Sequence, residues 1–304
     1  MSSLSIAVVV PTLNAAGDWA KFAPALLLNV RPDQVLILDS CSTDGTAELA
    51  RQSGFRVHQI ARSDFNHGGT RQVGAELLGE AEVLVYLTQD AVLADAGSIE
   101  RLCASFADPM VSAAYGRQLP RPGAGAIESH ARWFNYPAVS SVRSLETREQ
   151  QGIKTIFISN SFSAYRRRTL MELGGFARHT IFGEDTMMAG RMVLAGWKIA
   201  YVAEAQAYHS HGYTWRQDFR RYFDIGALHR QESWMLEEFG RAGGEGKRFV
   251  LSELGYLWRE DAGLIGSALV RTGLKLAGYR LGQMEHRLSV GWKRRLSMHP
   301  GFWR

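Results

Sequence analysis

Five short polar clusters in this chain carry groups able to do chemistry, and each stands beside an apolar run or at a helix start. Thr88-Gln89-Asp90-Ala91 ends the run Val83–Leu87. A carboxylate such as Asp90 at a strand end suits a hard divalent cation held against phosphate oxygens; the plainer reading is a turn aspartate. Phe182-Gly183-Glu184-Asp185 opens a helix. Its two carboxylates are either dipole-stabilised caps or a general base for a hydroxyl proton. His209 and His211 lie two apart and share a face in an extended segment, so either is a candidate metal ligand. Asp39, after Val35–Leu38, suits hydrogen bonds from a base or ribose when paired with the loop Pro11-Thr12-Leu13-Asn14. Ser42 or Asp44 equally serves as a cap for the helix Thr46–Gln52. Asn66-His67-Gly68-Gly69-Thr70-Arg71 is rich in donors and leads into a helix. Its backbone N–H groups and Arg71 favour an anion such as a diphosphate. It is neither a P-loop nor a dinucleotide fingerprint.

The elements that position these groups follow a strand–helix rhythm. Ile6–Val10, Val35–Leu38, Phe55–Ile60 and Val83–Leu87 read as strands, with helices over 46–52 and 71–78 between them. That alternation predicts an α/β fold with a mostly parallel sheet. Ligands then sit beyond the carboxyl ends of the strands, where the clusters at 11–14, 39–46 and 88–91 fall. Residues 120–151 read as an excursion over that face, with an aromatic patch at Trp133-Phe134-Asn135-Tyr136. Residues 153–165 return as strand-like, 185–194 as helix, 198–202 as strand, and everything after Thr214 as helical.

With 304 residues, 46% hydrophobic, the chain is long enough for a large core. Its two cysteines, Cys41 and Cys103, have neither metal-ligand spacing nor the density of a disulfide scaffold, which fits a reducing cytoplasm. The net charge of +5 is local. From Arg271 onward Glu285 is the only acidic residue among a run of arginines and lysines, and the rest of the chain is slightly acidic. Basic residues confined to one tail do not make a nucleic-acid-binding face.

Taken in order, Pro-Thr-x-Asn, Asp-x-x-Ser-x-Asp-Gly-Thr, strand–x–Asp, Gly-Glu-Asp and a late histidine resemble glycosyltransferase family 2 over residues 5–215. These are inverting enzymes of GT-A fold. Phe65-Asn66-His67-Gly68-Gly69-Thr70-Arg71, Thr88-Gln89-Asp90-Ala91 and Arg220-Arg221-Tyr222-Phe223-Asp224 are similar to the bacterial rhamnosyltransferases of that family. The resemblance implies a catalytic domain over 1–215, with a nucleotide-binding half to about 95 and an acceptor half after it, then a helical extension over 216–304. It implies that Pro11, Thr12, Asn14, Asp39 and Ser40 line the nucleotide, and that His67, Gly69, Arg71, Gln89 and Asp90 face the diphosphate or sugar. Asp185 is the implied general base, with Glu184 second. Asp90, His209 and His211 are the implied ligands for Mg²⁺ or Mn²⁺. Trp133 and Asn160 are set against the acceptor, though core or lid packing explains them equally. The sequence departs from the family where Thr88 replaces the first aspartate of Asp-x-Asp.

The implied donor is dTDP-L-rhamnose, with a UDP-hexose as the alternative, and the implied acceptor is a saccharide or lipid-linked saccharide. A sugar nucleotidyltransferase should carry a glycine-rich basic first loop, and Pro11-Thr12-Leu13-Asn14 lacks one. A family member kept only for binding is countered by the intact Glu184-Asp185. No apolar stretch is long enough to span a bilayer. The tail Val290–Arg295 with Phe302-Trp303 mixes aromatics and cations as interfacial segments do, which predicts peripheral attachment to the cytoplasmic face of an anionic membrane.

Overall fold

The computed structural model of the protein describes residues 4–240 and 244–304. Its strands are β1 (Ile6–Thr12), β2 (Val35–Asp39), β3 (Arg56–Gln59), β4 (Val83–Leu87), β5 (Val92–Leu93), β6 (Val111–Leu119), β7 (Ser141–Arg143), β8 (Phe162–Arg166) and β9 (Lys198–Tyr208). They form one sheet in the order β3-β2-β1-β4-β8-β6-β9-β5, with β7 against β9. The run β3-β2-β1-β4 is parallel throughout, as the strand–helix rhythm requires. Beyond it β8 runs antiparallel to both β4 and β6, while β6 and β9 pair in parallel.

The runs Ile6–Val10, Val35–Leu38 and Val83–Leu87 are apolar at every position because both faces of this part of the sheet are covered. In β1, Val9 points into a core with Leu36, Leu38, Leu84 and Tyr86. Val8 and Val10 point the other way, into a core with Val35, Ile37, Val83 and Val85. Pro11 lies past the last β1–β4 register pair, Val9 with Tyr86, so β4 loses no ladder hydrogen bond to it.

Three segments differ from the sequence reading. The helix expected from Arg71 begins at His67, with Asn66 as its cap: the Asn66 Oδ1 accepts the Gly69 N–H at 2.5 Å. The glycines therefore lie in its first turn, where a Cβ on Gly68 would meet the Ala177 carbonyl at 1.8 Å. Residues 153–165 are not one strand; a 3₁₀ turn covers Gly152–Ile156 and β8 starts at Phe162. The excursion over 120–151 contains a helix, Ala126–Asn135.

The C-terminal region is helical, and it shares its core with the sheet. Phe223, Ala227, Leu228 and Trp303 pack in the same cluster as Leu84 and Tyr86. The helices Trp215–Gln231 and Ile265–Gln283 touch backbone to backbone. A Cβ on Gly226 would lie 2.1 Å from the Tyr279 oxygen, one on Gly278 2.3 Å from the Phe219 oxygen, and one on Gly282 2.0 Å from the Phe223 oxygen. The interfacial reading of Phe302-Trp303 is corrected: Trp303 is 5% exposed, with the Lys293 ammonium 5.0 Å above its ring inside the protein. Trp292 does stay exposed, with the Arg295 guanidinium over it. Among the described residues no helix is long and apolar enough to cross a membrane.

Candidate active site

The loops after β1, β2 and β4 converge beyond the strand ends. Asn14 and Cys41 both adopt positive φ, which bends the first two loops towards each other. Asn14 Oδ1 accepts the Thr43 N–H at 2.9 Å, and Ser42 Oγ accepts the Asn14 N–H at 2.9 Å. Asp39 is fully buried and organises this turn, taking hydrogen bonds from Thr12 Oγ1 (3.2 Å), Ser42 N–H (3.0 Å) and Ser42 Oγ (2.5 Å). Ser40 beside it is buried with its hydroxyl unpartnered. Asp44 is a turn staple, bound to the Ala16 N–H and to Thr46. Gln89 fastens the third loop to the first: its Oε1 accepts the Leu13 N–H at 2.7 Å and its Nε2 donates to the Leu13 carbonyl at 3.1 Å.

Asp90, His209 and His211 meet in one place, with one ligand atom from each lying within 4.8 Å of the others. β4 ends just before Asp90, and β9 ends just before His209. Asp90 Oδ1 is 3.5 Å from His209 Nε2, and Asp90 Oδ2 is 3.6 Å from His211 Nε2. His209 Nδ1 lies 2.9 Å from Gln118 Oε1, an acceptor, so Nδ1 carries a proton and Nε2 faces Asp90. Gln118 Oε1 is held in turn by Arg132 Nη1 at 2.5 Å. Burial pushes the His211 imidazole down to about 4, with His209 adding to the effect, so His211 is neutral at ordinary pH. Burial works to raise the Asp90 carboxyl, but the hydrogen bond and charge of His209 outweigh it and hold it well below the carboxylate range. One carboxylate and two imidazole nitrogens are a fitting donor set for a divalent transition metal. Arg121 Nη2 donates to the Asp90 carbonyl at 2.6 Å, adding positive charge beside the group.

The adjacent carboxylates Glu184 and Asp185 have different fates. Glu184 is buried and lies 3.1 Å from Arg71 Nη1, also buried. Asn160 Nδ2 donates to Glu184 Oε1 at 3.1 Å. Burial disfavours the Glu184 anion, but Arg71, His67 and Asn160 together hold its carboxyl below the usual range. Among the described residues Asp185 forms no ion pair. It accepts the Asn160 N–H at 3.0 Å and the Thr186 N–H at 2.8 Å and stays half-buried. Burial and the neighbouring Glu184 charge push its carboxyl up to about 6.

Asn160 is 2% exposed, and its Oδ1 accepts from Ser163 Oγ and Tyr165 Oη, each at 2.8 Å. It is therefore a hub under both carboxylates, with no face open to an acceptor. Trp133 is exposed on the helix Ala126–Asn135, with Arg117 stacked over it at 5.5 Å. His67 stands edge-on to His299 at 5.0 Å. Gln118, Arg121, Arg132 and His299 were not singled out from the sequence. Gln118 sits inside a strand and the two arginines lie in or beside the excursion, so neither spacing nor residue type marks them.

The description "Glycosyl transferase family 2" matches residues 7–174. The chain is 43% identical over 302 residues to the O-antigen chain rhamnosyltransferase RfbN of Salmonella typhimurium, covering 99% of this chain and 96% of that protein. It is 43% identical over 301 residues to the O-antigen chain rhamnosyltransferase WbaN of Salmonella anatum, covering 98% and 96%. In fold it is similar to the mannosyltransferase PcManGT of Pyrobaculum calidifontis, solved with GDP-Man and Mn²⁺, with a TM-score of 0.58 at 16% identity over 99% of this chain and 86% of that one. The sheet order, the converging strand-end loops and these matches agree, and the chain belongs to glycosyltransferase family 2.

Proposed function

We propose that the protein is an inverting rhamnosyltransferase that moves L-rhamnose from dTDP-L-rhamnose to a saccharide acceptor during cell-surface polysaccharide synthesis. The observation that carries the mechanism is the unequal treatment of neighbouring carboxylates. Glu184 is neutralised by Arg71, while Asp185 forms no ion pair among the described residues and has its carboxyl pushed up to about 6, suited to accept a proton at neutral pH. Asp185 takes the acceptor proton as the hydroxyl attacks the anomeric carbon from the face opposite the leaving diphosphate. Asn160 holds Asp185 through its N–H and Glu184 through its amide, fixing the angle between them. The loop residues Pro11, Thr12, Asn14, Asp39 and Ser40 shape the nucleotide end, and Asn66–Arg71 with Gln89 shapes the diphosphate end. The rhamnosyl donor is supported by the names of the two relatives, which match over nearly the whole chain.

Asp90, His209 and His211 would hold the metal, which supplies positive charge to offset the departing diphosphate. Two nitrogen ligands to one oxygen suit Mn²⁺ better than Mg²⁺. Thr88 in place of a second carboxylate weakens the protein's own hold, so the ion binds firmly together with the diphosphate.

Peripheral membrane attachment is supported by a different surface from the one the tail aromatics suggested. Leu269, Val270 and Leu276 are exposed on the helix Ile265–Gln283. From Ala262 to Arg304 every exposed charged side chain is cationic (Arg280, Arg287, Arg294, Arg295, Arg304), and the one acid, Glu285, is buried against Lys293. That face suits the anionic cytoplasmic side of the inner membrane, where lipid-linked acceptors reside. A donor panel decides the central claim: dTDP-L-rhamnose should be hydrolysed slowly, and bound with Mn²⁺, in preference to UDP-glucose and UDP-galactose. A clear UDP-sugar preference would overturn the rhamnosyl reading.

A further inference from the structure

The motif Arg220-Arg221-Tyr222-Phe223-Asp224 binds the C-terminal segment. Arg220 Nη2 donates to the Arg295 carbonyl at 2.6 Å. The buried Asp224 accepts the Met298 N–H at 2.8 Å, and Phe223 packs on Trp303 with ring centres 6.2 Å apart. These ties deliver His299. Its ring meets His67 edge-on at 5.0 Å and stacks on Phe182 at 6.0 Å. His67 opens the helix that carries Arg71, and Phe182 stands just before Gly183-Glu184-Asp185. One imidazole therefore bridges the starts of the two helices whose side chains form the Arg71–Glu184 pair.

We infer that His299, delivered by the segment Ser297–Trp303, whose two ends are buried, is a positioning residue that sets Asp185 for its encounter with the saccharide hydroxyl. The inference rests on the base role proposed for Asp185. His299 acts through Phe182 and His67. It braces the turn at Gly183, which has φ +77° and no room for a side chain, since a Cβ there would meet Leu228 at 2.6 Å. With the Gly183 turn packed on Leu228 from one side and Phe182 stacked by His299 from the other, the start of the helix has one position. Removing the imidazole frees Phe182 and lets Asp185 drift relative to an incoming hydroxyl, while the metal ligands keep their own supports and the Asn66–Arg71 loop keeps the Asn66 cap and the Arg71–Glu184 pair.

The full chain carrying His299→Ala or His299→Phe is assayed with dTDP-L-rhamnose and with the p-nitrophenyl glycoside that gives the highest wild-type turnover. Dissociation of Mn²⁺–dTDP and the thermal midpoint are measured alongside. His299→Ala should lower kcat/KM for the glycoside about tenfold or more, since small misplacements of reacting groups are costly. Its Mn²⁺–dTDP affinity should stay within about twofold of wild type, under about a third of the free energy of a tenfold change in binding constant. His299→Phe, which keeps the ring contacts, should recover most of the loss. The inference is overturned if His299→Ala leaves kcat/KM for the glycoside unchanged, if Mn²⁺–dTDP binding falls in parallel, or if the phenylalanine variant is no better than alanine. Asp185→Asn run beside them separates the two ideas, because full activity there defeats the base role whatever His299 does.

Discussion

Arg71 Nη1 and Glu184 Oε1 lie 3.1 Å apart with both side chains buried, and among the described residues Asp185, the other carboxylate of the Gly-Glu-Asp turn, forms no ion pair. Which acid does the chemistry and which holds the architecture follows from that contact.

Asp185→Asn should therefore lower transfer by about 10²–10⁴-fold with dTDP binding retained, the range for loss of a general base. Glu184→Gln should behave differently. It strands the buried Arg71 charge and should cost about 3–5 kcal/mol of stability, read as a lowered denaturant midpoint. If the asparagine variant transfers at the wild-type rate, Asp185 is not the base.

Acidity gives a second expectation. Asp185 works as a base only when ionised, and burial raises its carboxyl to about 6. Activity should thus be full above pH 7 and fall tenfold per unit on the acid side of about 6. Asp224, also raised to about 6 by burial, lies under the C-terminal segment. The limb should persist in Asp224→Asn; its disappearance there would move the assignment to Asp224.

The metal centre predicts an effect from a residue that never touches the ion. Gln118 fixes the His209 tautomer through Nδ1. Gln118→Leu should weaken Mn²⁺ binding in the presence of dTDP by about 10–100-fold, the usual consequence of losing such an outer partner. Calorimetry on the variant and on His211→Ala measures it, and unchanged affinity in Gln118→Leu would remove its orienting role.

Glycine packing sets the C-terminal helices. Gly278→Ala places a methyl 2.3 Å from the Phe219 carbonyl and should destabilise by about 1–3 kcal/mol. Gly266→Ala has nothing within 4 Å of the new atom and should stabilise by up to about 1 kcal/mol, from helix propensity alone. Opposite shifts in thermal midpoint check both.

Much of this was legible in the sequence where one residue type had one physical reading. Short β-branched runs ended by polar residues located β1, β2 and β4, because strands covered on both faces have no other pattern. Strand ends and a shared face marked Asp90, His209 and His211 as separate candidate ligands, and the family resemblance is what put them together, as the structure does. Asn160 was harder. Its backbone N–H and its amide serve two carboxylates at once, and a backbone contact leaves no trace in residue type. Residues 153–165 looked like a strand because a short apolar run fits strand and turn alike. Trp303 was misread because an aromatic among cations describes both a membrane edge and a buried ring beneath Lys293.

Gln89 directs both halves of its amide to the backbone of Leu13, so the loops after β1 and β4 move as one body. The residue next to Asp90 is thereby a handle on the backbone of the first loop. Retuning such a scaffold for a new nucleotide need not begin with the pocket wall; a shorter or longer amide at this joint would re-aim the whole loop by a fraction of an ångström.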